Sequence, residues 1–218
     1  MIPLRDVIPS RTVPFITITI IAINALAWFV ELAQGPGQLN QFLYVYGVVP
    51  GNFHLATLVT SMFLHGSWSH ILGNMLYLWI FGDNVEDRCG HGRFVVFYLL
   101  CGFAAGLGQI LMNPDSMVPT IGASGAIAGI MGAYFVLYPD SRVLTLIPFP
   151  FFSIVELPAI FLLGFWFLMQ LFNAGTVAVT AGTSGGGVAF AAHIVGFVFG
   201  VAGIFLFRKR EPRQQWEM

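Results

Sequence analysis

Long apolar stretches with few charges run through this chain, separated by shorter segments that carry almost all of its polar and charged residues. A helix that crosses a bilayer needs roughly 20 mostly apolar residues. Six stretches come near that length: Val13 to Leu32, Ser69 to Val85, Arg93 to Met112, the shorter Ser124 to Tyr138, Phe152 to Phe172, and Val188 to Phe207. They predict an all-α membrane protein, a bundle of six transmembrane helices forming one domain over residues 1–218. The first run is longer than the h-region of about 7–15 residues of a cleaved signal, so it reads as a retained first helix.

The intervening segments give the orientation. The nine basic residues are Arg5, Arg11, Arg88, Arg93, Arg142, Arg208, Lys209, Arg210 and Arg213. With six spans, all of them fall in the N-terminal tail, the second and fourth connections, and the C-terminal tail, which share one side. By the positive-inside rule both termini are cytoplasmic. The first outer loop, Ala33 to Trp68, is rich in glycine and aromatics, and its apolar piece Leu55 to Leu64 is too short to span and suits the interface. The last outer loop, Ala174 to Gly187, reads AGTVAVTAGTSGGG, the composition of a mobile connection. The acids of FGDNVEDR read as a solvated cytoplasmic turn, with Glu86 and Asp87 near Arg88 and Arg93 for pairing, and Glu156 reads as interfacial at the start of the fifth span.

Composition agrees. The chain is 57% hydrophobic and 9% charged, against about 25% charged in a soluble domain, so the lipid bilayer is its expected partner. A net charge of -1 with no basic cluster outside the C-terminal tail gives no reason to expect nucleic acid. Cys89 and Cys101 read as free thiols, since they form no CxxC pair and no disulfide framework.

The few polar groups inside the spans carry the chemistry, because an intramembrane ionisable residue is costly and marks function by default. His70 and Asn74, four residues apart, share one face of the second span. Ser124 opens the fourth, and His193 lies in the sixth. At 1.5 Å per residue, Ser124 stands about 22 Å from the turn at Pro139, His193 about 22 Å from Arg208, and Asn74 about 21 Å from Arg88. All sit at about the same depth, in the outer half of the bilayer. Small residues recur every fourth position below Ser124 (Ala128 and Gly132, with Gly125 and Gly129 alongside) and below His193 (Gly196 and Gly200), which lets two helix backbones approach closely in lipid. Gly102 and Gly106 on the third span are a weaker instance.

A serine alone in such a place is commonly a cap or a packing residue; its neighbours decide otherwise here. A serine hydroxyl needs a base to become a nucleophile. The one lysine, Lys209, lies in the cytoplasmic tail, which excludes a Ser-Lys pair. His91 is cytoplasmic, and His54 and His65 precede the second span, His65 suiting a structural role in the first loop. His70 and His193 remain at the serine's depth, with no carboxylate there in the relevant spans, so a Ser-His dyad is expected. The other histidine, with Asn74 and the Ser124 N–H at a helix start, would supply donors to an oxyanion; spacing alone leaves the two histidines interchangeable. With no HExxH and no carboxylate at that depth, no metal site is expected.

The segments HGSWSHILGNMLYLWIFGDNVED, GASGAIAGIMGAYFVLYP and AAHIVGFVFG, in this order on separate spans, closely resemble those of the rhomboid intramembrane serine proteases, and the likeness runs from the first span to the last. The resemblance implies a rhomboid-like bundle with Ser124 as nucleophile and His193 as base. It implies an oxyanion hole of His70, Asn74 and the Ser124 amide, with Gly122 opening the site. It also implies cleavage of transmembrane protein substrates near the outer face, without metal or cofactor. Two positions depart from the family pattern: Ala56-Thr57 stand where many members carry Trp-Arg, and Ala128 where some carry a tyrosine that stacks on the base. The compact six-span plan suggests a bacterial plasma membrane. The competing readings are a non-catalytic relative that binds client helices and a transporter; no inverted repeat supports the latter.

Overall fold

The computed structural model describes residues 1–148, 152–180 and 189–209, the side chains of residues 36 and 177–180 excepted. Along the chain run strand β1 (Ile2–Asp6), helices α1 (Phe15–Leu32), α2 (Pro36–Tyr46), the single turn α3 (Thr57–Thr60), α4 (Trp68–Cys89), α5 (His91–Met112) and α6 (Ser124–Leu137), strands β2 (Arg142–Ile147) and β3 (Ser153–Pro158), then α7 (Ala159–Thr180) and α8 (Phe190–Phe207). Among the described residues four helices are long and apolar enough to cross a membrane: α1, α5, α8 and the Ala159–Thr176 part of α7. Helix α6 is apolar and shorter. Five of the expected spans lie within a few residues of α1, α4, α5, α6 and α8.

The fifth span differs at both ends. Residues Ser153–Pro158 form a strand, and the helix begins at Ala159. Ile154, Val155 and Leu157 are apolar enough to be read as part of a span, but Leu157 precedes Pro158, which disfavours the helical conformation there. At the other end, Ala174–Thr180 continue α7, where a loop was expected. Weak helix formers stay helical in apolar surroundings, because leaving the helix would strand backbone N–H and C=O groups. The remainder of that expected loop lies outside the described residues.

Beside the helices stands a three-stranded antiparallel sheet in the order β1-β2-β3 that the sequence reading lacks. Ile2 pairs with Leu146 and Asp6 with Val143, with an irregularity between Pro3 and Arg5. Arg142 pairs with Pro158 and Ile147 with Ser153. Buried Val143 and Thr145 alternate with more exposed neighbours along β2, the period of a strand packed on one face. Two backbone bonds, Ala159 N to Ser141 O at 2.7 Å and Ile160 N to Pro139 O at 3.0 Å, tie the first turn of α7 to the segment just after α6.

Helix α6 is the centre of the bundle, buried continuously from Gly125 to Tyr134. Its contact with α8 is backbone to backbone. A methyl group built on Gly196 would stand 2.1 Å from the Gly125 carbonyl oxygen, and one on Gly200 would stand 1.9 Å from that of Gly129. The expected stripes of small residues therefore meet each other. Gly102 and Gly106 of α5 do something else: their bare faces receive the side chains of Met62 and Leu58 from the segment around α3. Cys89 and Cys101 are free and buried.

The acids of FGDNVEDR form no solvated turn. They lie in the last two turns of α4, where the Glu86 carboxylate, fully buried, accepts from the N–H groups of Ile16 (3.0 Å) and Thr17 (2.8 Å) and from the Thr17 hydroxyl (2.7 Å). A carboxylate thus caps the otherwise unpaired amides at the start of α1. Its second neighbour is His91 Nδ1. Asp87 accepts from Arg11 N at 2.6 Å and from the Thr12 backbone and hydroxyl, and Asp83 accepts from the Ser10 hydroxyl. Arg142 on β2 pairs with Glu156 on β3 at 3.2 Å, so Glu156 is a strand residue with a salt bridge.

Candidate active site

Ser124 begins α6 because of the chain just before it. Val48 and Thr120 exchange a pair of backbone bonds (3.0 and 2.7 Å), and Gly122 N donates to Ser61 O at 2.8 Å. Gly122 then turns with φ +120°, a conformation that glycine adopts readily and other residues do not. A side chain there would also meet His70, since its first carbon would lie 2.6 Å from Nε2 and 3.6 Å from Asn74 Nδ2. Gly122 contributes an open space flanked by those two polar groups; its own amide is already engaged. The Ser124 N–H stands in the first helical turn, where amides lack intrahelical partners.

His193, on α8, reaches Ser124 across the close helix contact, its Nε2 2.8 Å from the serine Oγ. The histidine is buried and the serine half-buried. Nδ1 of His193 lies 2.9 Å from Oε1 of Gln170 on α7. An amide oxygen only accepts, so Nδ1 carries the proton and Nε2 offers its lone pair to the serine hydroxyl. The Trp166 ring, one turn before Gln170, lies against the imidazole with centroids 5.7 Å apart.

His70 and Asn74 project from the first turns of α4, which opens on Ser67: its extended backbone (φ -164°) and side-chain oxygen, accepting from His70 N, make an N-cap. Asn74 Nδ2 lies 2.9 Å from His65 Nε2. As the amide nitrogen donates, the His65 Nε2 accepts, and one Asn74 hydrogen is left for the space beside Gly122. His65 is fully buried, and its backbone N–H donates to both carboxylate oxygens of Glu31 at the end of α1, at 2.9 and 3.0 Å. Its ring stands edge-on to His70 at 5.0 Å. Burial, and then His70 nearby, push the His65 pKa down to about 4; the Phe63 backbone draws it the other way, although Nδ1 makes no well-formed hydrogen bond. His65 is therefore neutral at pH 7.

The structure brings Ser124, His193, His70, Asn74 and Gly122 to one end of the bundle. Of the other histidines, His65 joins this cluster from behind Asn74. At Ala56-Thr57 the Thr57 hydroxyl donates to the His54 carbonyl at 2.6 Å, and His65, later in the same loop, is tied to Glu31 of α1. Sequence reading missed Gln170, Trp166 and Glu31. Gln170 had a signal, being a polar residue inside an apolar run, and Glu31 likewise at the end of one. Among the described residues no group of three His, Cys, Asp or Glu side chains is close enough to share a metal ion.

Residues 52–210 match the family model described as Rhomboid domain. The chain belongs to the rhomboid family. It is 30% identical over 85% of its length to Rhomboid-like protein 11, chloroplastic, of Arabidopsis thaliana, covering 66% of that protein. It is 30% identical over 59% of its length to Rhomboid protease GluP of Bacillus subtilis, covering 26% of it. It is 29% identical over 73% of its length to Rhomboid protein 1, mitochondrial, of Saccharomyces cerevisiae, covering 44% of it. The chain thus spans between about a quarter and two-thirds of the length of these relatives. Family membership and the apolar helices make it a mostly helical, multi-pass membrane protein.

Proposed function

We propose that this rhomboid is an intramembrane serine endopeptidase, a single domain of six spans with both termini in the cytoplasm, that cuts transmembrane protein substrates near the outer membrane face. The observation that carries the reading is the 2.8 Å contact of His193 Nε2 with Ser124 Oγ. As Oγ bonds to the scissile carbonyl carbon, its proton passes to Nε2. The oxyanion accepts hydrogen bonds from His70, Asn74 and the Ser124 N–H in the space kept open by Gly122, and each such donor is worth about 10²- to 10³-fold in kcat. The carbon–nitrogen bond then breaks, the imidazolium returns the proton to the leaving amine, and water activated by the same base hydrolyses the acyl-enzyme.

A peptide bond engaged in a helix cannot enter such a site, so substrates should carry Gly, Pro or other weak helix formers near their outer ends. A client helix would enter past α7. The setting proposed is a bacterial plasma membrane: GluP and YdcA come from Bacillus subtilis, while two other relatives are named chloroplastic and mitochondrial, and recovery of the native chain from an organelle fraction would overturn it.

The test is cleavage of a model transmembrane substrate in proteoliposomes by wild type and Ser124→Ala. Cutting by wild type and none by the variant is expected. Equal cutting by both rejects the serine mechanism, and cutting by neither turns the assignment to a rhomboid that holds client helices without hydrolysing them.

A further inference from the structure

A histidine base serves a serine only in the tautomer that leaves the serine-facing nitrogen unprotonated, so something must hold the proton on the far side. Resting on the protease reading above, we infer that Gln170 is the positioning residue for His193, which makes the site a Ser124–His193–Gln170 triad closed by α7.

Four observations converge. Gln170 Oε1 is 2.9 Å from His193 Nδ1, and both residues are 8% exposed, so water is a poor substitute for the contact. The amide orientation is self-consistent: Gln170 Nε2 points back to the Trp166 carbonyl at 3.4 Å. A flipped amide would set oxygen against oxygen there. Ala128 offers no ring to the imidazole from α6, and Trp166 of α7 supplies one, at 5.7 Å and 37°. Lastly, a neutral amide fixes the tautomer without the desolvation cost of a buried carboxylate, which suits a site where, among the described residues, no acid hydrogen-bonds the histidine.

Both supports belong to one helix whose outer face is largely exposed. Of the four long apolar helices α7 is the least buried, and Phe161, Phe165, Leu168 and Phe172 face outward. A displacement of α7 by little more than 1 Å takes Gln170 out of hydrogen-bond range and uncovers the ring. Admission of a client past α7 and activation of the base are then successive states: the site is armed when α7 docks.

The experiment compares wild type, Gln170→Leu (similar volume, no acceptor) and Gln170→Glu in proteoliposomes. It reads kcat and KM against pH, together with the rate at which a fluorophosphonate probe labels Ser124. Gln170→Leu should lower kcat and the labelling rate about 10- to 100-fold with KM unchanged. Gln170→Glu should stay active and move the acidic limb of the kcat profile to higher pH, because a carboxylate stabilises the imidazolium; a glutamine whose side chain does not face the His193 ring would leave that limb in place. Wild-type labelling and kcat in Gln170→Leu, or an unmoved limb in Gln170→Glu, overturns the inference. Should Gln170→Leu fail to fold, the limb of Gln170→Glu decides alone. Absence of Ser124 labelling in wild type would instead sink the protease reading, so the two failures are distinguishable.

Discussion

The candidate site has two walls of different construction. One is made of α6, α4 and the end of α1, the other of α7. On the first, Ser124 is carried by a helix whose glycines touch the α8 backbone with no room for a methyl group. The donors His70 and Asn74 are held from behind by His65 and Glu31. On the second, Gln170 and Trp166 meet His193 through side chains alone. A backbone contact between two helices is all-or-none, since nothing in it can rotate away. A side-chain contact across a lipid-facing helix can break and re-form. The nucleophile and the base are thus fixed against each other, while what orients the base can move.

The largest expected effect tests the rigid wall. Gly200→Val would place a side chain 1.9 Å from the Gly129 carbonyl oxygen, with backbone on the other side and no flexible group to give way. We expect a loss of about 3 kcal/mol or failure to fold, read as thermal unfolding in detergent. Gly164→Ala on α7 is the counterpart: its new carbon would meet Phe135 at 3.7 Å, an ordinary contact. It should change stability by less than about 1 kcal/mol, and toward greater stability on helix propensity. Similar losses in the two variants would erase the distinction between the walls.

A smaller effect should appear behind the oxyanion donors. The pKa of His65 is pushed down to about 4 by burial and by His70, against about 6.5 in an unfolded chain. Between those values the unfolded chain takes up a proton that the folded chain refuses. The stability contributed by neutral His65 is therefore complete above about pH 6.5 and is lost as pH falls toward 4, with a slope of at most about 1.4 kcal/mol per pH unit. The difference in stability between wild type and His65→Gln, measured by denaturation at a series of pH values, should shrink over that window. A difference that stays constant with pH would mean that His65 is not the neutral acceptor for Asn74 described here.

How far the sequence reveals this arrangement depends on the kind of contact. Ser124, His193, His70 and Asn74 are legible because polar groups at matched depth in apolar runs are rare and costly, and the glycine spacing announces the close contact of α6 with α8. Gln170 is hidden by an expectation of a histidine with a serine and no third member, and by a misplaced helix: with the fifth span begun at Phe152 and ended at Phe172, Gln170 falls at its margin and not deep in α7. The clamp of Glu86 on α1 is hidden because a carboxylate among arginines reads as a surface pair, while its partners, the backbone amides of Ile16 and Thr17, leave no mark in sequence. The sheet is hidden because its outer strand comes from the N-terminal residues, β1 pairing with β2 across more than a hundred positions, and because the strands β2 and β3 that pair beside it are apolar enough to pass for the margins of spans.

The smallest expected effect concerns the foot of the movable wall. β3 runs into α7, and the exposed pair Arg142–Glu156 bridges it to β2 at 3.2 Å. If that ion pair were what tethers α7, its loss would loosen the helix that carries Gln170 and change turnover. The geometry assigns the tether elsewhere: the Ala159 and Ile160 amides are bonded to Ser141 and Pro139, and β2 and β3 are paired along six residues from Arg142 to Ile147. An exposed pair is worth about 0–1 kcal/mol and is screened by salt. Arg142→Ala should therefore shift stability by less than about 0.5 kcal/mol and leave kcat within twofold in the proteoliposome assay. A larger fall in kcat would show that α7 is held at its foot by charge, and its mobility would then follow ionic strength, where hydrogen-bonded backbone should make it indifferent to salt.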